Sequence, residues 1–172
     1  MLALLKFIQS LVKTLHSEGT PGQIAAGIAL GAALGLTPLV SLQNALIFSA
    51  LFLLNVSFGA GMLGWALATP IGFLLDPAFD ALGRALLERP SLRSLWTALA
   101  NAPLLPWTNF ANSVTLGSFL VWAVLAFPIY LGARAAVLTY RARYAERFRR
   151  SAFWKALSAS QAYNVYRWFR PE

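Results

Sequence analysis

From Gly19 to Leu75 the chain contains no Asp, Glu, Lys, Arg or His, and from Ser94 to Ala133 it again contains none. Cysteine is absent throughout, and His16 is the single histidine. The missing cysteine excludes disulfides and thiolate metal sites. With no evident carboxylate pair either, nothing marks a place for acid–base or metal chemistry, so no cofactor and no metal are expected and the chain reads as non-enzymatic. The missing charge matters most. Soluble domains carry charge on roughly a quarter of their residues, against 12% here. As one helix the first uncharged run would be roughly 86 Å long, and a bilayer's hydrocarbon core is ~30 Å thick. It has to fold back on itself, which predicts an all-α integral membrane protein.

What is present agrees. The chain is 58% hydrophobic with a mean hydropathy of +0.61, and 172 residues give room for one compact membrane domain. Lys6 and Lys13 interrupt the first apolar stretch, unlike a cleaved signal peptide. Most of the net charge of +8 lies at the other end, where Arg134, Arg141, Arg143, Arg147, Arg149, Arg150, Lys155, Arg167 and Arg170 face only Glu146 and Glu172. Basic residues directly after a hydrophobic span mark the cytoplasmic side. Three regions follow: an interfacial amphipathic helix over 1–19, a membrane domain over 20–133, and a basic cytoplasmic tail over 134–172.

Within the membrane domain, Thr20-Pro21-Gly22 reads as a helix start. Gln23–Leu36 and Leu39–Leu54 read as two apolar helices, each ~21–24 Å and short for a full crossing. Pro38 disfavours helical geometry at Thr37, so a proline-broken re-entrant hairpin with its tip at Pro38 is expected. Phe58–Leu75 is the next apolar segment, interrupted at Thr69-Pro70, and Asp76-Pro77 reads as the start of a new helix. A second short helix over Ser91–Ala102 follows. Asn109–Gly132 is the cleanest transmembrane helix, kinked at Pro128. About two transmembrane helices beside the hairpin would place both termini in the cytoplasm and residues 76–107 on the periplasmic face.

Gly27, Gly31 and Gly35 share one helix face, and Gly59, Gly61 and Gly64 lie on the next segment. Small residues at such spacing let helix backbones approach closely in lipid, either within the chain, for instance on the Leu39–Leu54 arm, or with a partner's helix. Gly59 to Gly64 also spells G-x-G-x-x-G, but an apolar segment without a βαβ unit does not bind a dinucleotide. Thr37, Pro38, Ser41, Gln43, Asn44, Asn55 and Pro70 supply polar groups and freed carbonyls at the hairpin. They serve either to satisfy broken backbone or to line a path for a lipid head group. Asp76, Asp80 and Arg84 fall one helical turn apart, as a helix-end acid and an ion pair would. In the tail, Arg141, Arg143, Arg147, Arg149 and Arg150 interleave with aromatics. Directly after a membrane span this suits anionic lipid, not nucleic acid.

The series Pro21…Ile24-Ala25-x-Gly27-x-x-x-Gly31-x-x-x-Gly35-x-x-Pro38…Gln43…Asn55…Pro70 resembles the bacterial inner-membrane family catalogued as domain of unknown function 2062, over about Thr20 to Leu75. The chain length resembles a small subfamily. Two positions depart from the family pattern, with Leu42 where Gly is frequent and Thr69 where Asn is typical. The resemblance implies a multi-pass bacterial inner-membrane protein. It also implies a complex, because members of the subfamily tend to be encoded beside a larger envelope protein with one membrane anchor. The leading expectation is a subunit that anchors or scaffolds such a protein in lipid transport, with a homo-oligomer left open. The alternative is a small lipid scramblase or transporter built on the Pro38 hairpin, an analogy of fold only.

Overall fold

A computed structural model describes residues 19–143. The helix expected before residue 19 and most of the basic tail lie outside them. Within them the chain is helical, with no strand among the described residues.

Helix α1 spans Pro21–Leu36. Thr20 caps it: its side chain accepts from the backbone N–H of Gln23, and the Gln23 side chain accepts from the backbone N–H of Thr20. This reciprocal box satisfies two otherwise orphaned donors. The helix stops because Thr37, the residue before Pro38, is extended, at φ −107° and ψ 148°. Helix α2 spans Leu42–Leu53 with Ser41 as its N-cap. Two helices therefore stand where the two arms were expected, the second beginning at Leu42 and not at Leu39, with residues 37–41 non-helical between them.

Helix α3 spans Phe58–Leu87 and passes unbroken through Pro70 and Pro77. This corrects the expectation of a break at Thr69-Pro70 and a new helix at Asp76. Each proline withdraws one backbone donor, leaving the carbonyls of Ala66 and Phe73 without their helical partner. Packing keeps the helix continuous past the losses: Gly72 and Phe79, on the same helix, are buried against α1 and α5. Proline interrupts an isolated helix more readily than one clamped between neighbours.

A 3₁₀ turn at Pro90–Leu92 leads into α4, Arg93–Ala100, and a second 3₁₀ turn covers Leu105–Thr108. Helix α5 spans Ser113–Arg143. It begins four residues later than expected, because Asn109 sits in the left-handed region at φ 57°. Asn112 then caps the helix, its side chain accepting from Thr115 N–H at 3.0 Å. The helix runs through Pro128 and on past Gly132 into the basic segment.

The framework is a bundle of α1, α3 and α5. Gly27 faces Ser57 and Ala60, Gly31 faces Gly61 and Trp65, and Gly35 faces Trp65, Ala68 and Thr69, so α1 and α3 run parallel. Helix α5 runs against both: its start meets Gly83, Gly117 meets Phe79, and Val137 packs on Ile24 and Ala60. Helix α2 is the return arm between two parallel helices and leans on the bundle from outside. By length, α3 and α5 are about 45 and 46 Å, and both are long and apolar enough to cross a membrane. In their most apolar stretches only 33% and 22% of residues are buried, whereas the core helix of a soluble protein would be mostly enclosed. Leu53, Phe73, Leu74, Val124 and Phe127 all face outward.

Candidate functional site: the hairpin and its glycine seam

The seam between α1 and α3 is built from backbone. A methyl placed on Gly35 would lie 2.6 Å from the Trp65 carbonyl oxygen, and one on Gly72 would lie 2.5 Å from that of Gly35. Methyls on Gly27, Gly31 and Gly64 would overlap the carbonyls of Ser57, Gly61 and Ile28. The small-residue face of α1 is thus filled by α3, not by the Leu39–Leu54 arm. Gly61 has a different neighbour, the Leu51 side chain of α2, which is buried on it. Gly59 lies exposed in the first turn of α3. The G-x-G-x-x-G match is helical and serves packing at Gly61 and Gly64. Gly72 was not singled out from sequence, nor were Gly83 and Gly117, which bring α3 and α5 together at Ser113 and Phe79. Neither of the latter two belongs to a spaced motif, so no signal marked them.

At the tip, Thr37 and Asn44 are both buried, at 5% and 3% exposure. The Asn44 amide nitrogen donates to Pro38 O at 2.8 Å, and the Thr37 hydroxyl lies 2.8 Å from the Asn44 amide oxygen and 2.7 Å from Ala33 O. One hydroxyl proton serves one acceptor fully. Ala33 O already accepts the Thr37 N–H at 3.0 Å, so donation to Asn44 leaves every buried group of the tip with a partner. The polar groups at Pro38 thus close the broken backbone, the first of the two roles expected of them. Ser41 caps α2, accepting from Asn44 N–H. Gln43, although adjacent in sequence, takes no part; it lines a separate pocket of about 330 Å³ with Trp96, Phe110 and Thr115.

At the base of the hairpin, the Gln23 side-chain nitrogen donates to the Asn55 side-chain oxygen at 2.7 Å, and Ser57 N–H donates to Gln23 O at 3.1 Å. The return arm therefore ends level with the point where α1 begins. Gln23 is a residue that motif reading passed over, although T-x-x-Q at a helix start is a legible capping signature. Beside Pro70, the Thr69 hydroxyl donates to Trp65 O at 2.8 Å.

Between the tip and α3 lies a cavity of about 310 Å³, lined by Thr37, Pro38, Leu39, Trp65, Thr69, Phe73 and Asp76 among others. Two apolar grooves adjoin it. One, of about 610 Å³, runs between the tip, α2 and Trp107; the other, of about 510 Å³, runs along α3 from Met62 to Phe73. At the far end of α3, Arg84 pairs with Asp80, its Nε donating at 3.0 Å, and Ser113 donates to the same carboxylate. At the opposite end, Arg141 donates to Gly19 O at 2.8 Å and Trp122 donates to Ala29 O at 2.9 Å, tying α5 to α1. Arg143 is exposed; Arg147, Arg149 and Arg150 lie outside the described residues. Among the described residues no cluster of His, Asp or Glu could hold a metal ion.

Residues 5–146 match the family model described as "Uncharacterized protein conserved in bacteria (DUF2062)", so the match runs well past Leu75 and takes in α3, α4 and all of α5. An "Uncharacterized protein" of Treponema pallidum (strain Nichols) is 32% identical over 141 residues, covering 80% of this chain and 85% of that one. No solved structure matches.

Proposed function

The chain belongs to the bacterial family DUF2062, and we propose that it is a non-enzymatic, multi-pass inner-membrane subunit that holds a larger, single-anchor envelope protein in an assembly moving lipid. The observation that carries this is the outer face of α2. Leu46, Phe52 and Leu53, with Leu54 just past the helix end, are each more than half exposed, on the hairpin arm whose outward side meets no other helix among the described residues. Phe48, Phe52 and Phe58 continue that face as a cluster with ring centroids 4.6–6.3 Å apart. Since the glycine face of α1 is spent inside the chain, the aromatic side of α2 is where an anchor helix fits.

The hairpin reading places Thr20 and Asn55 at one membrane surface, because both ends of the hairpin are tied together at Gln23, and the Pro38 tip deep in the bilayer toward the other surface, level with Asp76. Arg134, Arg141 and Arg143 lie at that same end, and their charge favours the cytoplasm. The test is affinity purification of the full chain in mild detergent, followed by mass spectrometry. The triple substitution Leu46→Ala, Phe52→Ala, Leu53→Ala is expected to lose the single-anchor protein while melting at the wild-type temperature. Undiminished recovery with the folded triple variant would sink the reading.

The second reading is passage of lipid along the hairpin itself. The cavity under the tip, open to two apolar grooves, favours it. Its readout is exchange of labelled lipid between liposome leaflets, and a purified chain that leaves the spontaneous rate unchanged removes it.

A further inference from the structure

Asp76 lines the cavity beneath the hairpin tip and is partly buried there. Among the described residues the ion pair formed is Arg84 with Asp80, and no described cation reaches Asp76. The uncharged part of α3, Phe58 to Leu75, is about 27 Å long. With Phe58 at one headgroup level, Asp76 stands close to the other, on the side away from Arg134, Arg141 and Arg143. Thr69 faces the same cavity. Its proton is engaged with Trp65 O, which leaves its oxygen lone pairs free to accept. The face of Trp65, which also lines the cavity, attracts cations. Among the described residues no basic one lines the cavity. An anionic head would meet Asp76 in repulsion; an ammonium would find a carboxylate, a hydroxyl oxygen and an indole.

From this juxtaposition we infer that the tip cavity is a binding site for the amine head of a two-chain phospholipid, with Asp76 as its anionic partner. The two grooves of about 610 and 510 Å³ adjoin the cavity on the two sides of Trp65 and take the acyl chains. Both grooves are almost wholly apolar, lined by Leu34, Leu42 and Phe48 on one side and Met62, Ala66 and Phe73 on the other. The inference rests on the membrane reading of the preceding section but not on the identity of any protein partner.

The test uses the full chain in mild detergent, offered phosphatidylethanolamine and phosphatidylglycerol with identical acyl chains, with retained lipid read by native mass spectrometry. Phosphatidylethanolamine should be retained about tenfold better, the size expected of one charge-assisted contact. Asp76→Asn should abolish the preference and Asp76→Glu should keep it. N-acetylated phosphatidylethanolamine, which carries no ammonium, should bind the wild type no better than phosphatidylglycerol, a comparison that holds even if Asp76→Asn fails to fold. Equal retention of the lipids by the wild type, or an unchanged preference in folded Asp76→Asn, overturns the site. Expulsion of the lipid when the single-anchor protein is co-purified would make the groove that protein's seat and also overturns it. A chain that retains no lipid of any kind overturns the membrane reading together with this one.

Discussion

The α1–α3 seam and the α2 arm lie side by side and are held by opposite means. Along the seam, backbone meets backbone: Gly27, Gly31 and Gly35 press on the carbonyls of Ser57, Gly61 and Trp65, with only the methyls of Ala60 and Ala68 beside them. The arm is tied only at its ends, by Gln23 with Asn55 at the base and by Thr37, Asn44 and Pro38 at the tip, with Leu51 as the plug between. In lipid, helices gain little from burying apolar surface and much from close fit. The seam should therefore be intolerant of volume, and the arm sensitive to the loss of single polar atoms.

The sharpest way to break that contrast is Gly31→Leu. A side chain there overlaps the Gly61 carbonyl, which belongs to a helix core and cannot give way, so destabilisation of about 3 kcal/mol or more is expected. A chain that no longer runs as one species on size exclusion would be the sign. Gly132→Ala is the matched control, because its added methyl meets nothing within 4 Å. Helix propensity alone then acts, and the variant should be as stable as wild type or better by about 0.5–1 kcal/mol. If the two behaved alike, the seam would not be what holds α1.

Thr37→Val probes the arm at nearly constant volume. It leaves the buried Asn44 oxygen without a donor, a loss of about 1–3 kcal/mol. Thermal unfolding in detergent measures it, and Asn44→Ala should cost less on top of it than alone, because the Thr37–Asn44 bond is already gone and only the bond to Pro38 O is left to break. Full additivity of the two would mean that the tip is not one unit.

The hairpin was legible because its signals are local. Pro38 fixes Thr37, and Ser41 caps α2 within three residues of itself. The glycine face of α1 was legible as a face, but spacing on one helix carries no information about which surface fills it. That α3, and not the adjacent arm, does so depends on a match between residues 30 or more positions apart. The two interior prolines misled for the opposite reason: local preference favoured a break at Thr69-Pro70 and at Asp76-Pro77, and the packing of α1 and α5 overrides it. Asp76 looked like a helix-end acid because nothing near it in sequence reveals the cavity. It becomes a lining residue only when the tip folds down onto α3. Gln23 was readable and missed; the capping box stood in plain view at the start of α1.

The parallel course of α1 and α3 has a consequence for how the chain is made. The ties that hold α1 join partners at widening sequence separations: seven residues at Thr37 and Asn44, 32 at Gln23 and Asn55, 93 at Trp122 and Ala29, and 122 at Arg141 and Gly19. Closing a loop costs more entropy as the loop lengthens, and partners that leave the ribosome early can meet early. The tip should form while α3 is still being synthesised, and the base as α3 begins. The glycine seam then zips upward, and α5 arrives last to fasten a helix that was the first of the bundle to emerge.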